Sequence, residues 1–300
     1  MPYVLCRLVL SSDHTIRITK KEYEHIKVAC TGIGEIIGIE EKYDAVMENF
    51  VELEQSILQL GMRHLAFSNM DYHELQQPRN VVGRRLLNLL SSARLYRDSL
   101  PQHCKTIFGD KDARLGQVKA LLRDSPKQPM AYRVVEAVRN YAQHQEIPVY
   151  GVTFHRASEG DGEERRSAHW LSFSLDALEV SRGRELSNDV RAELVSLGSK
   201  VDPMPLVRQY VEHVGTIQRA IREMIKGHDA DWTGTITGGI RRFTRRFPKE
   251  KAIALAAGFQ KPNGSISDAE YLVEEAVGYL KYLKSKNRSA VNLSQRYVKW

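Results

Sequence analysis

Tyr43, Val46, Met47, Phe50, Leu53, Ile57, Leu58 and Met62 recur mostly at three- and four-residue steps, with acids and amides between them. That spacing puts them on one face of an α-helix. A stripe this long must be buried against other helices, which constrains the fold more than any other feature of the chain. The helix is expected from about Glu40. A polar break at 71–79 precedes a second long segment, 81–100, rich in Leu and Arg. It is expected to end before Pro101, because proline lacks an N–H and its ring crowds the preceding turn. Its leucines point several ways, so it should touch neighbours on more than one side. Shorter helices are expected at 112–123 and 129–145, separated by Ser125-Pro126-Lys127-Gln128. Long helices with short connections read as an antiparallel bundle.

Two regions have the period of strands. Residues 3–10 and 15–19, joined by Ser11-Ser12-Asp13-His14, read as a hairpin. After Pro148, Val149-Tyr150-Gly151-Val152-Thr153-Phe154 and Ala168-His169-Trp170-Leu171-Ser172-Phe173 bracket an acidic, glycine-containing loop at 158–166. This second hairpin is able to pair with the first in one small sheet beside the bundle. Helical patterns resume at 187–197 and 205–226. The segments 234–239 and 261–264 read as breaks around a basic stretch, and 268–284 as a final helix. The expected fold is mainly α, an antiparallel helical bundle with a small antiparallel sheet from two hairpins and a C-terminal helical region. Its parts are 1–20, a hairpin on the main domain; 21–146, the bundle; 147–176, the second hairpin; and 177–300, a basic helical region.

Three cysteines, Cys6, Cys30 and Cys104, are odd in number and far apart. They offer neither a disulfide framework nor a metal knuckle, which suits a reducing cytoplasm. The first ten residues are apolar, but they lack a basic lead-in and Arg7 interrupts them, so a buried strand fits better than a signal peptide. The run at 252–257 is far too short to span a bilayer. A soluble, cytoplasmic protein is expected. The net charge is +7, and residues 204–300 carry 17 Lys/Arg against 9 Asp/Glu. The excess basicity therefore lies in the last third, where it favours a polyanion such as nucleic acid or forms a solvated basic face.

The segment richest in chemistry is 131–144. On a helical wheel Ala131, Val134, Val135, Val138, Tyr141 and Ala142 share one third of the circumference. The opposite half holds Arg133, Glu136, Arg139, Asn140, Gln143 and His144, with Glu136, Asn140 and His144 in an i, i+4, i+8 stripe flanked by Arg139. An imidazole suits proton transfer at neutral pH, either from a ribose 2′-hydroxyl or to a leaving 5′-oxygen. A forked, permanently charged guanidinium suits the negative charge that gathers on a phosphorane-like transition state. Asn140 is able to orient the phosphate or the imidazole, and Glu136 to hold Arg139 through an i, i+3 contact.

Arg139-Asn140-Tyr141-Ala142-Gln143-His144 resembles the Arg-Asn-x-x-x-His signature of HEPN domains. Many of these are metal-independent endoribonucleases of prokaryotic toxin–antitoxin, abortive-infection and antiviral systems. The resemblance covers about 40–145, with its motif confined to the last residues. It implies a helical bundle whose dimer brings two motifs together across a cleft that cuts RNA, with no cofactor. It also implies that Arg139 and His144 are the catalytic pair, Asn140 a supporting residue and Glu136 a helper. No nucleotidyltransferase pattern accompanies it, so any antitoxin or defence partner would be a separate chain. A non-catalytic RNA-binding or assembly subunit, or a helix whose polar stripe is merely solvated, remain open alternatives.

Other segments carry less. Arg241, Arg242, Arg245 and Arg246 interleave with Phe243 and Phe247, which suits phosphate contact and base stacking as well as an ordinary amphipathic turn. The glycines at 234–239 lack the Lys-Ser/Thr pair of a phosphate loop. His155, His169, His213 and His228 read as core or surface histidines without ligand spacing, and Trp170 and Trp300 as packing residues. Arg84, Arg85, Asn88, Arg94 and Arg97 on the second long helix are able to support the phosphate site, but pairing with the acids of the preceding helix is the favoured expectation. Arg97 and His103 repeat the loose Arg-to-His spacing, but Pro101 between them should break the helix.

Overall fold

The computed structural model describes residues 2–9, 14–67, 72–123, 128–145, 149–160, 165–288 and 292–296. The turn at 11–13, the connection at 125–127, the loop at 161–164 and Trp300 lie outside them. The chain is mainly helical, with eight α-helices and two small antiparallel sheets among the described residues. In order these are β1 (Tyr3–Arg7), β2 (Thr15–Ile18), α1 (Lys20–Phe67), α2 (Tyr72–Phe108), α3 (Arg114–Leu122), α4 (Met130–His144), β3 (Val149–Glu159), β4 (Arg166–Leu175), α5 (Ala177–Ser181), α6 (Asn188–Leu197), α7 (Met204–Arg246), β5 (Leu255–Gln260), β6 (Ile266–Tyr271) and α8 (Glu274–Lys286). Among the described residues no helix is long and apolar enough to cross a membrane.

Contacts group the chain into two units that interleave distant segments. Unit 1 comprises Met1–Glu41, Ser99–Leu121 and Arg219–Arg288; unit 2 comprises Lys42–Asp98, Leu122–Gln218 and Ser289–Trp300.

In unit 1 the sheet has the order β2-β1-β5-β6, antiparallel throughout. The first hairpin therefore pairs with β5 and β6, and the expected pairing with the second hairpin does not occur. Every residue from Leu255 to Ala257 is buried, so β5 shows no alternation that a pattern search would find. The sheet packs on α1, where the Tyr23 hydroxyl donates to the Asp268 carbonyl at 2.8 Å and the Tyr3 ring stacks on Tyr23. Helix α1 begins some twenty residues before the expected start. Its N-terminus is a capping box, in which Glu22 N donates to Thr19 Oγ1 and Thr19 N to Glu22 Oε2. These backbone and side-chain bonds with Thr19 hold the Glu22 carboxyl below its ordinary pKa.

The expected break at 234–239 is absent, and α7 runs straight through it. Gly239 serves packing, since a Cβ there would meet Leu272 Cδ2 at 2.5 Å, whereas Gly234 and Gly238 face open space; on α1, a Cβ on Gly32 would overlap the Trp232 ring. Helix α2 likewise continues past Pro101, because Leu100, Cys104 and Ile107 extend its buried stripe. The helix expected at 268–284 is instead strand β6 followed by α8.

In unit 2, α1 and α2 run antiparallel, with Tyr43 against Tyr96 and Arg85 paired to Glu52. Arg208 of α7 grips Glu54 with two hydrogen bonds of 2.6 and 2.9 Å. Strands β3 and β4 form a ribbon of their own, as their period-two sequence indicates.

Candidate active site

Helix α4 carries the Arg-Asn-x-x-x-His motif and lies wholly in unit 2. Pro129 precedes its first turn, where a missing N–H costs nothing. At the other end the Gln145 N–H bonds back to Tyr141 O. Its apolar face is buried as the wheel requires, through Ala131, Val134, Val135, Val138 and Tyr141.

The opposite face is not the free polar surface expected from the wheel. Glu136 is 8 % exposed and Arg139 7 % exposed, so both are interior; Asn140 is half-buried, and only Gln143 and His144 are exposed. Neighbours on α2, α6 and α7 cover this side and supply the groups that make burial of charge tolerable. Glu136 Oε1 accepts from the Tyr210 hydroxyl at 2.8 Å. Glu136 Oε2 faces three guanidiniums: Arg97 at 3.2 Å, Arg139 at 3.4 Å and Arg94 at 3.9 Å. The expected i, i+3 link from Glu136 to Arg139 is therefore present. Arg94 and Arg97 reach across to α4, whereas Arg85 pairs with the preceding helix as anticipated.

The rest of the Arg139 guanidinium is taken by its own helix. It donates to Asn140 Oδ1 and, at 2.8 Å, to Gln143 Oε1. Burial, then the Glu136 charge, push Tyr210 well above the usual phenol range, so it remains a donor. Asp98 also binds Arg94, at 2.5 Å. Three guanidiniums thus gather on Glu136, and Asp98 also holds one of them. His144 stands one helical turn further on, in the same stripe.

A cleft of about 290 Å³ opens within unit 2 between α4 and the start of α6, and Glu136 and Asn140 line it. The motif face thus borders a cavity in a single chain, whereas a partner was expected to be needed to form one.

Arg241, Arg242, Arg245 and Arg246 belong to unit 1, on the last turns of α7. All four are exposed. Arg242 pairs with Glu22 at 2.8 Å, and Arg241 bonds back to Thr237 O. The interleaved phenylalanines point inward: Phe243 is fully buried and Phe247 packs on it and on His14. Phe243 is thus a core residue and Phe247 is partly covered, which leaves mainly the cations of this segment on the surface.

Several residues differ from their expected roles. Trp170 is 44 % exposed and stacks on His155 at 5.0 Å and 9°, while His155 Nε2 bonds Ser172 Oγ at 2.7 Å. His155 and Trp170 are cross-strand partners, which the register of two alternating strands would have indicated. His228 sits beside Arg114 and Phe108, and burial lowers its pKa. Arg97 and His103 lie on one unbroken helix, but Arg97 turns to Glu136 and His103 to Glu35. Among the described residues no three His, Cys, Asp or Glu side chains gather as a metal-ligand set.

Compared with protein families, curated proteins and solved structures, the chain matches none.

Proposed function

We propose that the chain is a metal-independent endoribonuclease acting as a homodimer in a toxin, abortive-infection or antiviral setting. A separate antitoxin or defence partner chain belongs to the same reading. The observation that carries it is the succession, on one helix, of a buried guanidinium, a half-buried amide and an exposed imidazole, beside three guanidiniums gathered on Glu136. The resemblance of Arg139-Asn140-x-x-x-His144 to the HEPN signature supports the same reading.

In this scheme the ribose 2′-oxygen attacks the adjacent phosphorus and the 5′-oxygen leaves, giving a cyclic phosphate. His144 takes the 2′-hydroxyl proton or delivers one to the 5′-oxygen. Asn140 is a supporting residue, its amide oxygen held by Arg139 and its Nδ2 left to donate. Arg139 is a positioning residue, since it is buried and bonded to the Asn140 amide oxygen. With Arg94 and Arg97 it adds a fixed field that favours the developing negative charge.

Recombinant protein should cleave single-stranded RNA in the presence of EDTA. His144→Ala should lower the rate by about 10²–10⁴-fold and leave the melting temperature unchanged. Equal cleavage by wild type and variant would remove the assignment. The second reading, a non-catalytic RNA-binding or assembly subunit, is favoured by the four exposed arginines of α7. It predicts RNA binding that weakens steeply with salt and no cleavage by wild type.

A further inference from the structure

The cleft between α4 and α6 has a chemistry of its own. Its walls are apolar, formed by Tyr132, Ala137, Leu186 and Val190. Its carboxylates are Glu185 and Asp189 near the mouth and Glu136 deeper in, with the Ser187 hydroxyl and the Gln128 amide beside them. Arg133 also lines it, but its guanidinium is held by Glu193 and by the Gln128 carbonyl. Because Asn140 Oδ1 accepts from Arg139, the amide that Asn140 can offer is its Nδ2 donor.

Glu185 and Asp189 disfavour a phosphate at the mouth, whereas the Glu136 charge is taken up by its arginines. The lining fits a flat, mostly apolar ring that carries N–H donors beside an acceptor. At about 290 Å³ the cleft lies near the lower limit of small-molecule sites and suits one ring system. Asn140 connects it to the motif, because His144 follows one turn along the same stripe, about 6 Å up the axis.

We propose that this cleft is a nucleobase pocket that selects an unpaired base bearing an exocyclic amino group, in preference to uracil. The inference rests on the RNA-cleaving reading above and gives it a specificity. Asp189 or Glu185 accepts from the amino group, as carboxylates do from cytosine N4. Asn140 Nδ2 donates to the neighbouring ring nitrogen or carbonyl. Uracil places carbonyl oxygens where the others carry the amino group, so it meets a carboxylate with an acceptor. The Tyr132, Leu186 and Val190 walls cover the ring faces.

The test uses the full chain and short single-stranded RNAs that differ in one nucleotide, together with free adenosine, cytidine, guanosine and uridine. Glu185 and Asp189 are exposed, so the double variant Glu185→Gln/Asp189→Asn should fold, which its melting temperature checks. Wild type should cleave beside the amino-bearing bases about tenfold faster than beside uridine, the scale of one hydrogen bond to a charged group. That ratio should collapse in the double variant. Equal cleavage at all four bases, or a ratio unchanged in the double variant, overturns the pocket while leaving the ribonuclease reading intact. If wild type does not cleave, calorimetric titration decides. Binding of the amino-bearing nucleosides over uridine, weakened in the double variant, supports the pocket without the nuclease; no binding overturns it.

Discussion

Each unit buries a glutamate among arginines, and the two are handled differently. In unit 1 Glu40, 0 % exposed, accepts from Arg222 through both oxygens, Nε to Oε1 at 2.8 Å and Nη2 to Oε2 at 2.6 Å. One fork meets one carboxylate, the charges balance, and the geometry is that of a strong bidentate pair. In unit 2 Glu136 gives one oxygen to a neutral hydroxyl and shares the other among three cations. The first arrangement joins α1 to α7 within unit 1. The second gathers three guanidiniums on one carboxylate oxygen, beside exposed groups of the same helix. The contrast separates a charge pair that serves the fold from a cluster suited to chemistry.

Substitutions can break this contrast in order of expected effect. Glu40→Ala removes the fully buried carboxylate that holds the Arg222 fork and should cost about 3–5 kcal/mol of stability, measured by urea unfolding. Glu136→Gln keeps the shape and the bond from Tyr210 but withdraws the shared charge. It should cost less, about 2–3 kcal/mol, and should also lower any RNA cleavage; an effect as large as that of Glu40→Ala would erase the distinction. Unit 2 should also be sensitive to acid through His213, whose ring packs on Tyr132 and whose Nε2 is buried with no hydrogen-bond partner among the described residues. Burial lowers its folded pKa from 6.5, so below that pH the unfolded chain binds more protons. Stability should be full above pH 6.5 and fall as the pH drops toward the folded value. Melting temperatures of His213→Asn across that range should vary less than wild type. The smallest effect belongs to Arg182→Ala, whose 76 % exposed side chain pairs with Glu179 on the surface. It should change stability by less than about 0.5 kcal/mol.

What the sequence reveals depends on how local the cause is. The stripe from Tyr43 to Met62 and the alternation around Thr153 and Ser172 are local, and both elements form. The start of α1 was also written locally, in Thr19 and Glu22 and in Tyr23, Ile26, Ala29, Ile33, Ile36 and Ile39, but Gly32, Gly34 and Gly38 dilute the helical signal. The continuity of α2 through Pro101 and of α7 through Gly239 is not local. It depends on neighbours, such as Leu272, that lie against the helix. The site divides in the same way. The wheel placed Glu136, Asn140 and His144 in one stripe, but the burial of Glu136 and Arg139 follows from Tyr210 and Arg97, contributed by other helices.

Strand β1 pairs with β5 from Tyr3↔Phe259 to Arg7↔Leu255, across about 250 residues of chain. During synthesis at about 5–20 residues per second, Val4, Leu5 and Cys6 wait roughly 12–50 s for the strand that covers one of their edges. Until then the β1–β2 hairpin stands as a two-stranded piece, which is marginal in water. Strand β1 is thus made long before it is secured. A ribosome that stalls before Leu255 releases a chain in which β1 has an unpaired edge, open to pairing with another chain or to capture by a chaperone.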